Sequence, residues 1–303
     1  MLVKTPPVSS EDLKLTLPGG RVLGYAEYGD PDGLPLIGFH GTPGSRFMFR
    51  LAHRHALDLG LRLLAPERPG FGLSTYHRGH TLANYADDIA AFADALGISR
   101  FAVAGVSGGA PYAVACAALL PERVTALALV SPVGPMAGDE RPRSIGPGHY
   151  FAFRLAPRVM PFLAAIFTIG RCAFLYTPGA MIGFIVSRST PSDWKILSRR
   201  EVRRNLLQGV SEGVRPGIRG ALREMRLFSQ AWNLPFQRIK APAFLWQGTA
   251  DRNVPAAAAF RLGELIPSCR VTRVEKGGHY WIFDNIDTVL GTIAGAVRGL
   301  AGR

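Results

Sequence analysis

Short apolar segments alternate with helical segments along most of this chain, and this alternation constrains the fold more than any other feature. The apolar runs have the length of buried strands, and an intervening segment such as 82–96 carries the 3.6-residue apolar period of a helix. Predicted strands cover residues 13–17, 21–28, 35–39, 61–65, 101–106, 124–130, 243–247 and 270–274. This order predicts an α/β fold: a mainly parallel sheet of eight strands with helices on both faces.

The alternation stops between residues 134 and 237. Residues 150–186 are rich in Phe, Leu, Ile and Ala without strand signals, and residues 192–228 have a basic, helical composition. A helical region between two predicted strands is an insertion into the sheet domain. We therefore predict a core made of residues 1–133 and 238–303, with residues 134–237 as a helical insertion.

The charge of the chain is concentrated in that insertion. The net charge is +13, and the stretch between Gly134 and Lys240, with 17 Lys and Arg against 6 Asp and Glu, supplies +11 of it. No helix-turn-helix, zinc-finger or RNP-like pattern accompanies these cations, so no nucleic-acid partner is expected.

Cysteine usage and hydropathy bear on the cellular location. The three cysteines, at positions 116, 172 and 269, are scattered, which argues against a disulfide framework or a cysteine metal site and fits a reducing compartment. Residues 1–10 lack the apolar region of a signal peptide, and no run reaches the ~18 uncharged apolar residues of a spanning helix. A cytoplasmic location is therefore expected.

The pattern G-x-S-x-G, which can present a nucleophilic serine on a strand-to-helix turn, occurs twice. Ser107 follows the buried strand 101–106 and precedes small residues that a tight turn requires. Ser211 follows a polar helical stretch and precedes Glu212, which is typical of a helix or surface serine. We therefore predict Ser107 as the nucleophile.

A nucleophilic serine needs a base and an acid that orients the base. Asp251 follows a predicted strand, and His279 lies beyond the last strand after Gly277 and Gly278, whose mobility would let an imidazole swing over the sheet edge. Asp251 alone could equally cap the next helix, but the order Ser107, Asp251, His279 is that of one hydrolase fold. His40 is expected to fix its own loop. The remaining histidines, 53, 55, 77, 80 and 149, are expected at the surface.

The chain resembles the α/β-hydrolase superfamily, in its capped serine esterase, lipase and peroxidase-like branch. The resemblance covers residues 13–133 and about 238–300 and rests on five motifs in order. These are residues 40–44 (HGTPG), 68–74 (RPGFGLS), 105–109 (GVSGG), 248–255 (GTADRNVP) and 277–279 (GGH).

This resemblance implies that the insertion is a cap, or lid, and that the backbone N–H groups of Thr42 and Gly108 form an oxyanion hole, since Pro43 has no N–H. Glu67 stands where relatives usually have Asp, which is expected to affect only loop anchoring. A serine nucleophile argues against epoxide hydrolase and haloalkane dehalogenase chemistry.

The expected activity is hydrolysis of a carboxylic ester or related acyl compound through an acyl-enzyme, without a metal or organic cofactor. The same triad serves carbon–carbon bond hydrolases and cofactor-free perhydrolases, and a low-turnover ligand receptor of this fold is a further alternative. The cap is expected to wall the entrance to Ser107 with an apolar pocket, built from the phenylalanines at 151, 153, 162, 167, 174 and 184. Arginines 199, 200, 203 and 204 at helical spacing would favour an anionic substrate or anionic lipid surface.

Overall fold

The computed structural model describes residues 9–301. Its centre is one eight-stranded sheet, in the order β1-β2-β4-β3-β5-β6-β7-β8. The strands are β1 (Ser10–Thr16), β2 (Val22–Gly29), β3 (Leu34–Phe39), β4 (Leu61–Pro66), β5 (Phe101–Val106), β6 (Val124–Val130), β7 (Ala243–Gly248) and β8 (Arg270–Val274). Strand β2 is antiparallel to β1 and β4, and all other pairs are parallel, which confirms the predicted α/β sheet. The prediction that the N-terminus is no signal peptide falls largely on residues 1–8, outside the described range.

Helices cover both faces of the sheet, as predicted. The core helices are α1 (His53–Asp58), α2 (Leu82–Ala95), α3 (Ala110–Leu119), α10 (Ala256–Leu265) and α11 (Ile286–Ala301). Helix α2 begins at a capping box, in which Thr81 and Asn84 bond reciprocally through side chain and backbone. A 3-10 helix, Arg46–Ala52, precedes α1.

The sheet has two separate apolar layers because alternate side chains of a strand point to opposite faces. In β5, Phe101 and Val103 pack with α2, α3 and α10, whereas Ala102 and Ala104 pack with α1 and α11. Burial on both faces explains why these strands read as continuous apolar runs in the sequence. It also leaves the carboxyl ends of the parallel strands as the place where loops can carry polar side chains.

The insertion between β6 and β7 is helical, in agreement with its composition. Its helices are α4 (Pro147–Tyr150), α5 (Met160–Tyr176), α6 (Pro178–Arg188), α7 (Pro191–Leu197), α8 (Arg200–Val214) and α9 (Arg219–Phe228). The buried residues of α7 and α8 form an apolar cluster that includes Ile196, Leu206 and Val210, and side chains of the core, α5 and α6 pack against it.

Helices α5 and α6 have fewer buried side chains than α7 and α8. Leu163 is the only buried residue of α5, and α6 has none. Within residues 9–301, no single helix is long and apolar enough to cross a membrane. Only the pair formed by Pro147–Arg158 and Met160–Tyr176 meets those criteria of length and composition together, and it is bent by 113°.

Candidate active site

Ser107 lies at a sharp turn between a strand and a helix. Strand β5 ends at Val106, a 3-10 turn covers Ser107–Gly109, and α3 begins at Ala110. The φ angle of Ser107 is +53°. This backbone conformation is strained for a residue with a side chain, and such strain is often found at functional sites. The turn can close only because Gly105 has no side chain: a Cβ there would lie 2.6 Å from the Cα of Ala110.

The carboxylate of Asp251 is bonded to the imidazole of His279. Asp251 Oδ2 lies 2.8 Å from His279 Nδ1 and also accepts a bond from Gln247 Nε2 at 3.1 Å. Its other oxygen, Oδ1, accepts from the backbone N–H groups of Asn253 and Val254. Asp251 does not cap the following helix, because α10 begins after Pro255. All its bonds hold the carboxylate in one orientation toward His279.

The electrostatics of this pair follow from burial and mutual attraction. Burial alone would raise the pKa of Asp251, but the charge and hydrogen bond of His279 and two backbone N–H groups lower it overall. Burial alone would lower the pKa of His279, but the charge and hydrogen bond of Asp251, with a smaller contribution from the charge of Asp193, raise it above its usual 6.5. The imidazole is thus prepared to accept a proton from a group at its Nε2 side.

Hydrogen bonds hold both the backbone N–H and the backbone carbonyl of His279. Its N–H donates to Asp193 Oδ2 at 2.9 Å, and the N–H of Tyr280 donates to Asp193 Oδ1 at 2.8 Å. Its carbonyl accepts a bond from Ser131 Oγ at 3.2 Å, and Ser131 in turn accepts from Trp281 Nε1.

Asp193 lies in α7 of the insertion and is only 2% exposed. Its carboxylate fills the space beside Gly278, where a Cβ would lie 2.0 Å from Asp193 Oδ2. The glycine therefore serves a close approach, and the expectation of a swinging, mobile lead-in to His279 is wrong. Asp193 could not be identified from the sequence because a carboxylate in the first turn of a helix is common and carries no catalytic signature.

The loop with Thr42 is held from the insertion as well. Arg68, fully buried, donates to the carbonyl of His40 at 2.6 Å and to Thr42 Oγ1 at 3.1 Å. Glu224 of α9, 1% exposed, pairs with Arg68 and accepts the hydroxyl hydrogen bond of Thr42. Gly108 lies against this loop: a Cβ there would be 3.2 Å from the nitrogen of Thr42 and 2.2 Å from its Oγ1. The two residues predicted to form an oxyanion hole are therefore neighbours.

A cavity of about 510 Å³ joins these groups. Ser107, His279, Thr42 and Gly108 all line it. Apart from them its walls are mainly apolar and come from both the core and the insertion. Insertion residues in the wall include Phe153, Phe174, Phe184, Ile185, Leu206 and Val210. Among the hydrogen bonds of residues 9–301, none joins Ser107 Oγ to His279 Nε2; such bonds often tighten only when substrate binds.

His40 and Ser211 lie as predicted from the sequence, whereas His80 does not. His40 does fix its own loop, since its Nδ1 lies 2.8 Å from the carbonyl oxygen of Gly41. Ser211 is a helix serine in α8, bonded to the carbonyl of Phe174. The surface position predicted for His80 is wrong: it is 2% exposed, stacks on Tyr112 and bonds to the tyrosine hydroxyl at 3.1 Å.

Glu67 does more than anchor its own loop. It accepts from the N–H of Leu73 at 2.7 Å, as expected, but it also forms a buried ion pair with Arg46 at 2.7 Å. Arg46 is bonded at the same time to Glu212 of α8 at 2.8 Å. The expectation that Glu67 matters only for its loop was therefore too narrow, because this network reaches the insertion.

The four arginines predicted to attract an anionic substrate or lipid surface are only partly free. Arg199 pairs with Asp284 at 2.8 Å and Arg203 is half-buried, whereas Arg200 and Arg204 are exposed.

Of the six phenylalanines predicted to line the cavity, Phe153, Phe174 and Phe184 do so, but Phe151 and Phe162 are about half exposed to solvent. Within residues 9–301, no three His, Cys, Asp or Glu side chains converge as metal ligands.

Comparison with known families decides the assignment. A model described as the alpha/beta hydrolase family matches residues 36–291, which is most of the chain. The chain belongs to the alpha/beta hydrolase family. The match spans the sheet from β3 to β8, the insertion and the positions of Ser107, Asp251 and His279.

Individual relatives of this alpha/beta hydrolase are distant. A non-heme chloroperoxidase of Streptomyces lividans is 35% identical over 130 residues, 40% of this chain and 45% of the relative. A proline iminopeptidase of Xylella fastidiosa is 36% identical over 108 residues, 35% of this chain and 34% of the relative. The chain spans less than half the length of these curated relatives in the alignments.

Solved structures share the fold. A bromoperoxidase from Bacillus anthracis superposes with a TM-score of 0.70 at 15% identity, covering 94% of this chain and 100% of the other. A thermophilic esterase from Thermogutta terrifontis gives a TM-score of 0.68 at 21% identity, covering 96% and 99%.

Proposed function

We propose that this alpha/beta hydrolase is a serine hydrolase that cleaves a carboxylic ester or a related acyl compound through an acyl-enzyme. The observation that carries the proposal is the bond between Asp251 and His279 beside a cavity that also contains Ser107 on its strained turn. A nucleophile, a base and a group that orients the base are the parts that acyl transfer requires.

In the proposed reaction, Ser107 Oγ attacks the acyl carbonyl carbon while His279 Nε2 takes its proton. Asp251 keeps Nδ1 protonated and stabilises the imidazolium that forms. His279 then gives the proton to the leaving alcohol, the carbon–oxygen bond breaks, and an acyl-Ser107 ester remains. Water, deprotonated by the same imidazole, attacks this ester and releases the acid.

We assign the stabilisation of the developing oxyanion to the backbone N–H groups of Thr42 and Gly108. Their closeness supports the assignment, as does the clamp of Arg68 and Glu224 that fixes the Thr42 loop. A donor that is already oriented needs no reorganisation when charge develops on the substrate oxygen.

We propose that residues 134–237 act as the cap of this site and select its substrate. Support comes from the phenylalanine and aliphatic side chains that the insertion adds to the cavity wall. A cavity of about 510 Å³ with such walls fits a medium acyl chain or a bulky apolar group. The substrate proposed is thus a small apolar acyl compound.

Perhydrolysis is a second candidate, favoured by the similarity to a chain named non-heme chloroperoxidase. In that reaction hydrogen peroxide, rather than water, attacks acyl-Ser107 and releases a peracid. The triad and oxyanion hole would serve both reactions without a cofactor. Adding hydrogen peroxide to the aqueous ester assay separates the two reactions, because only a perhydrolase forms peracid.

A series of p-nitrophenyl esters from acetyl to octanoyl tests the main proposal, with purified wild type, Ser107→Ala and Ser211→Ala. Turnover should rise with acyl length in the wild type, because a longer chain fills more of the apolar cavity. Ser107→Ala should lose several orders of magnitude in kcat and no longer react with a fluorophosphonate probe. Ser211→Ala is the matched control and should retain both. Full activity in Ser107→Ala would overturn the assignment, and a labelled Ser107 without turnover on any acyl substrate would favour a receptor.

A further inference from the structure

The outer surface of α4, α5 and the bend between them is unusually apolar. Of the large hydrophobic side chains exposed in residues 9–301, most fall in this short stretch. They are Tyr150, Phe151, Leu155, Val159, Phe162, Ile166, Ile169, Tyr176 and, in α6, Phe184. We call this set the apolar face. Large contiguous apolar patches on a soluble protein mark an interaction site.

The periodicity of α5 shows that this face is not a by-product of packing. Leu163, Phe167 and Phe174 lie on the side that is buried or half-buried against the protein. Phe162, Ile166 and Ile169 also recur at helical spacing, but on the neighbouring side of the helix that faces solvent, where Ile169 is 70% exposed. Helix α5 therefore carries two apolar stripes, of which the protein itself covers one.

The segment that carries the apolar face has charges of a single sign. Residues 141–192 contain six arginines and neither Asp nor Glu. Arg158 and Arg188 are exposed, and Arg154 and Arg188 lie over the rings of Tyr150 and Phe184, with Cζ 5.5 and 5.4 Å from the ring centroids. A partner for this surface must accept aromatic and aliphatic side chains and must also offer negative charge to the guanidinium groups beside them.

We propose that the apolar face docks the protein on the surface of an anionic lipid bilayer, with α5 lying in the interface. The aromatic and aliphatic side chains would enter the acyl boundary, while the arginines would meet anionic headgroups. A second copy of the chain fits less well, because a two-fold contact through this face would bring the same arginines against each other.

The location of the apolar face agrees with this orientation. Helices α5 and α6 also supply Phe174, Phe184 and Ile185 to the cavity that contains Ser107. A docked bilayer would thus lie against the outer side of the cavity wall. Docking itself is independent of the chemistry at Ser107, so its failure would leave the proposed reaction untouched.

Flotation with lipid vesicles tests the proposal. Wild-type protein should float with vesicles of phosphatidylcholine and phosphatidylglycerol, and much less with phosphatidylcholine alone. Added salt should weaken binding, since it screens the attraction of arginine for headgroups. The double variant Phe162→Glu, Ile169→Glu should lower the vesicle partition coefficient about tenfold or more, because it places two carboxylates in the interface.

Trp194→Glu provides the matched control. Trp194 is 58% exposed, comparable to Phe162 at 50%, but lies in α7 outside the apolar face. It should bind vesicles like the wild type. Hydrolysis of a water-soluble short ester should be unchanged in the double variant, since neither Phe162 nor Ile169 lines the cavity.

Three results would overturn the proposal. The first is wild-type protein that does not float with anionic vesicles, and the second is a double variant that floats as well as the wild type. The third is a wild-type dimer in sedimentation that the double substitution converts to monomer, which would assign the apolar face to a second copy.

Discussion

The two halves of the insertion are attached to the molecule in opposite ways. Helices α7, α8 and α9 reach into the core with buried or half-buried carboxylates: Asp193 holds the His279 loop, Glu212 bonds to Arg46, and Glu224 pairs with Arg68. In the described part of the chain, no ion pair connects α4, α5 or α6 to the sheet domain, and these helices expose apolar side chains instead. One half fixes the proposed catalytic loops, whereas the other half is free to meet a partner.

The largest effect expected from this difference is at Glu224. Glu224→Gln removes the charge that neutralises the fully buried Arg68, and breaking a buried pair in this way costs about 3–5 kcal/mol of unfolding free energy. Such a loss is a large part of the ~5–15 kcal/mol that stabilises an ordinary domain. Urea unfolding measures it. Glu201→Gln, on the exposed side of α8, is the control and should change stability by no more than about 0.5 kcal/mol. Equal midpoints for both variants would show that α9 is not held by this pair.

A smaller effect, on rate and pH dependence, is expected at Asp193. An Asn side chain can accept only one of the two N–H bonds from His279 and Tyr280, so Asp193→Asn should misplace the imidazole and lower kcat about 10-fold to 100-fold. Asp251→Asn should lower it by about four orders of magnitude, because it also destroys the correct tautomer.

The pH profile separates positioning by Asp193 from a purely structural role. His279 must be neutral to act as a base, so activity falls as pH drops through its pKa, which the two carboxylates raise above 6.5. Removing the charge of Asp193 should lower that pKa and move the acid limb of kcat/KM to lower pH, less than Asp251→Asn does. A rate loss with an unshifted acid limb would contradict the electrostatic part of this role.

The smallest effect is expected in the exposed half. Ile169→Ser changes a side chain that is 70% exposed, so the unfolding free energy should change by no more than about 0.5 kcal/mol. Leu163→Ser, on the covered side of the same helix, is the matched comparison and should be clearly destabilising because Leu163 is 5% exposed. If both substitutions destabilise equally, the outer stripe is packed in solution and the contrast between the halves fails.

The fold of the core and its proposed triad could be predicted from the sequence because their signals are local. The strand before Ser107, the loop glycines and the order of Ser107, Asp251 and His279 are all visible in short windows. Asp193 and Glu224 were out of reach because their partners lie 86 and 182 residues away in the chain, and nothing in the local pattern marks an acid that bonds to a distant loop. The burial of His80 could not be predicted for the same reason. Its neighbours in the sequence are polar, and Tyr112, on which its ring stacks, is distant in the chain.

The apolar residues of the insertion follow the prediction only in part: Phe153, Phe174 and Phe184 line the cavity, whereas Phe151 and Phe162 face solvent. Composition predicts an apolar wall but does not tell which side of a helix faces inward. In α5 the buried and exposed stripes have the same character, so only the packing of α5 against the rest of the insertion separates them.

The pairing of Arg68 with Glu224 has a consequence for how this domain can be altered or recombined. The cation belongs to the core and the anion to the insertion, so each part alone lacks the charge that neutralises its own buried residue. A core with the insertion deleted, or with the insertion of another hydrolase grafted in its place, would retain the guanidinium of Arg68 next to Thr42 without this counter-charge. An exchange of substrate selectivity by grafting would therefore have to transfer a carboxylate to the position of Glu224, or replace Arg68 with a neutral residue at the same time.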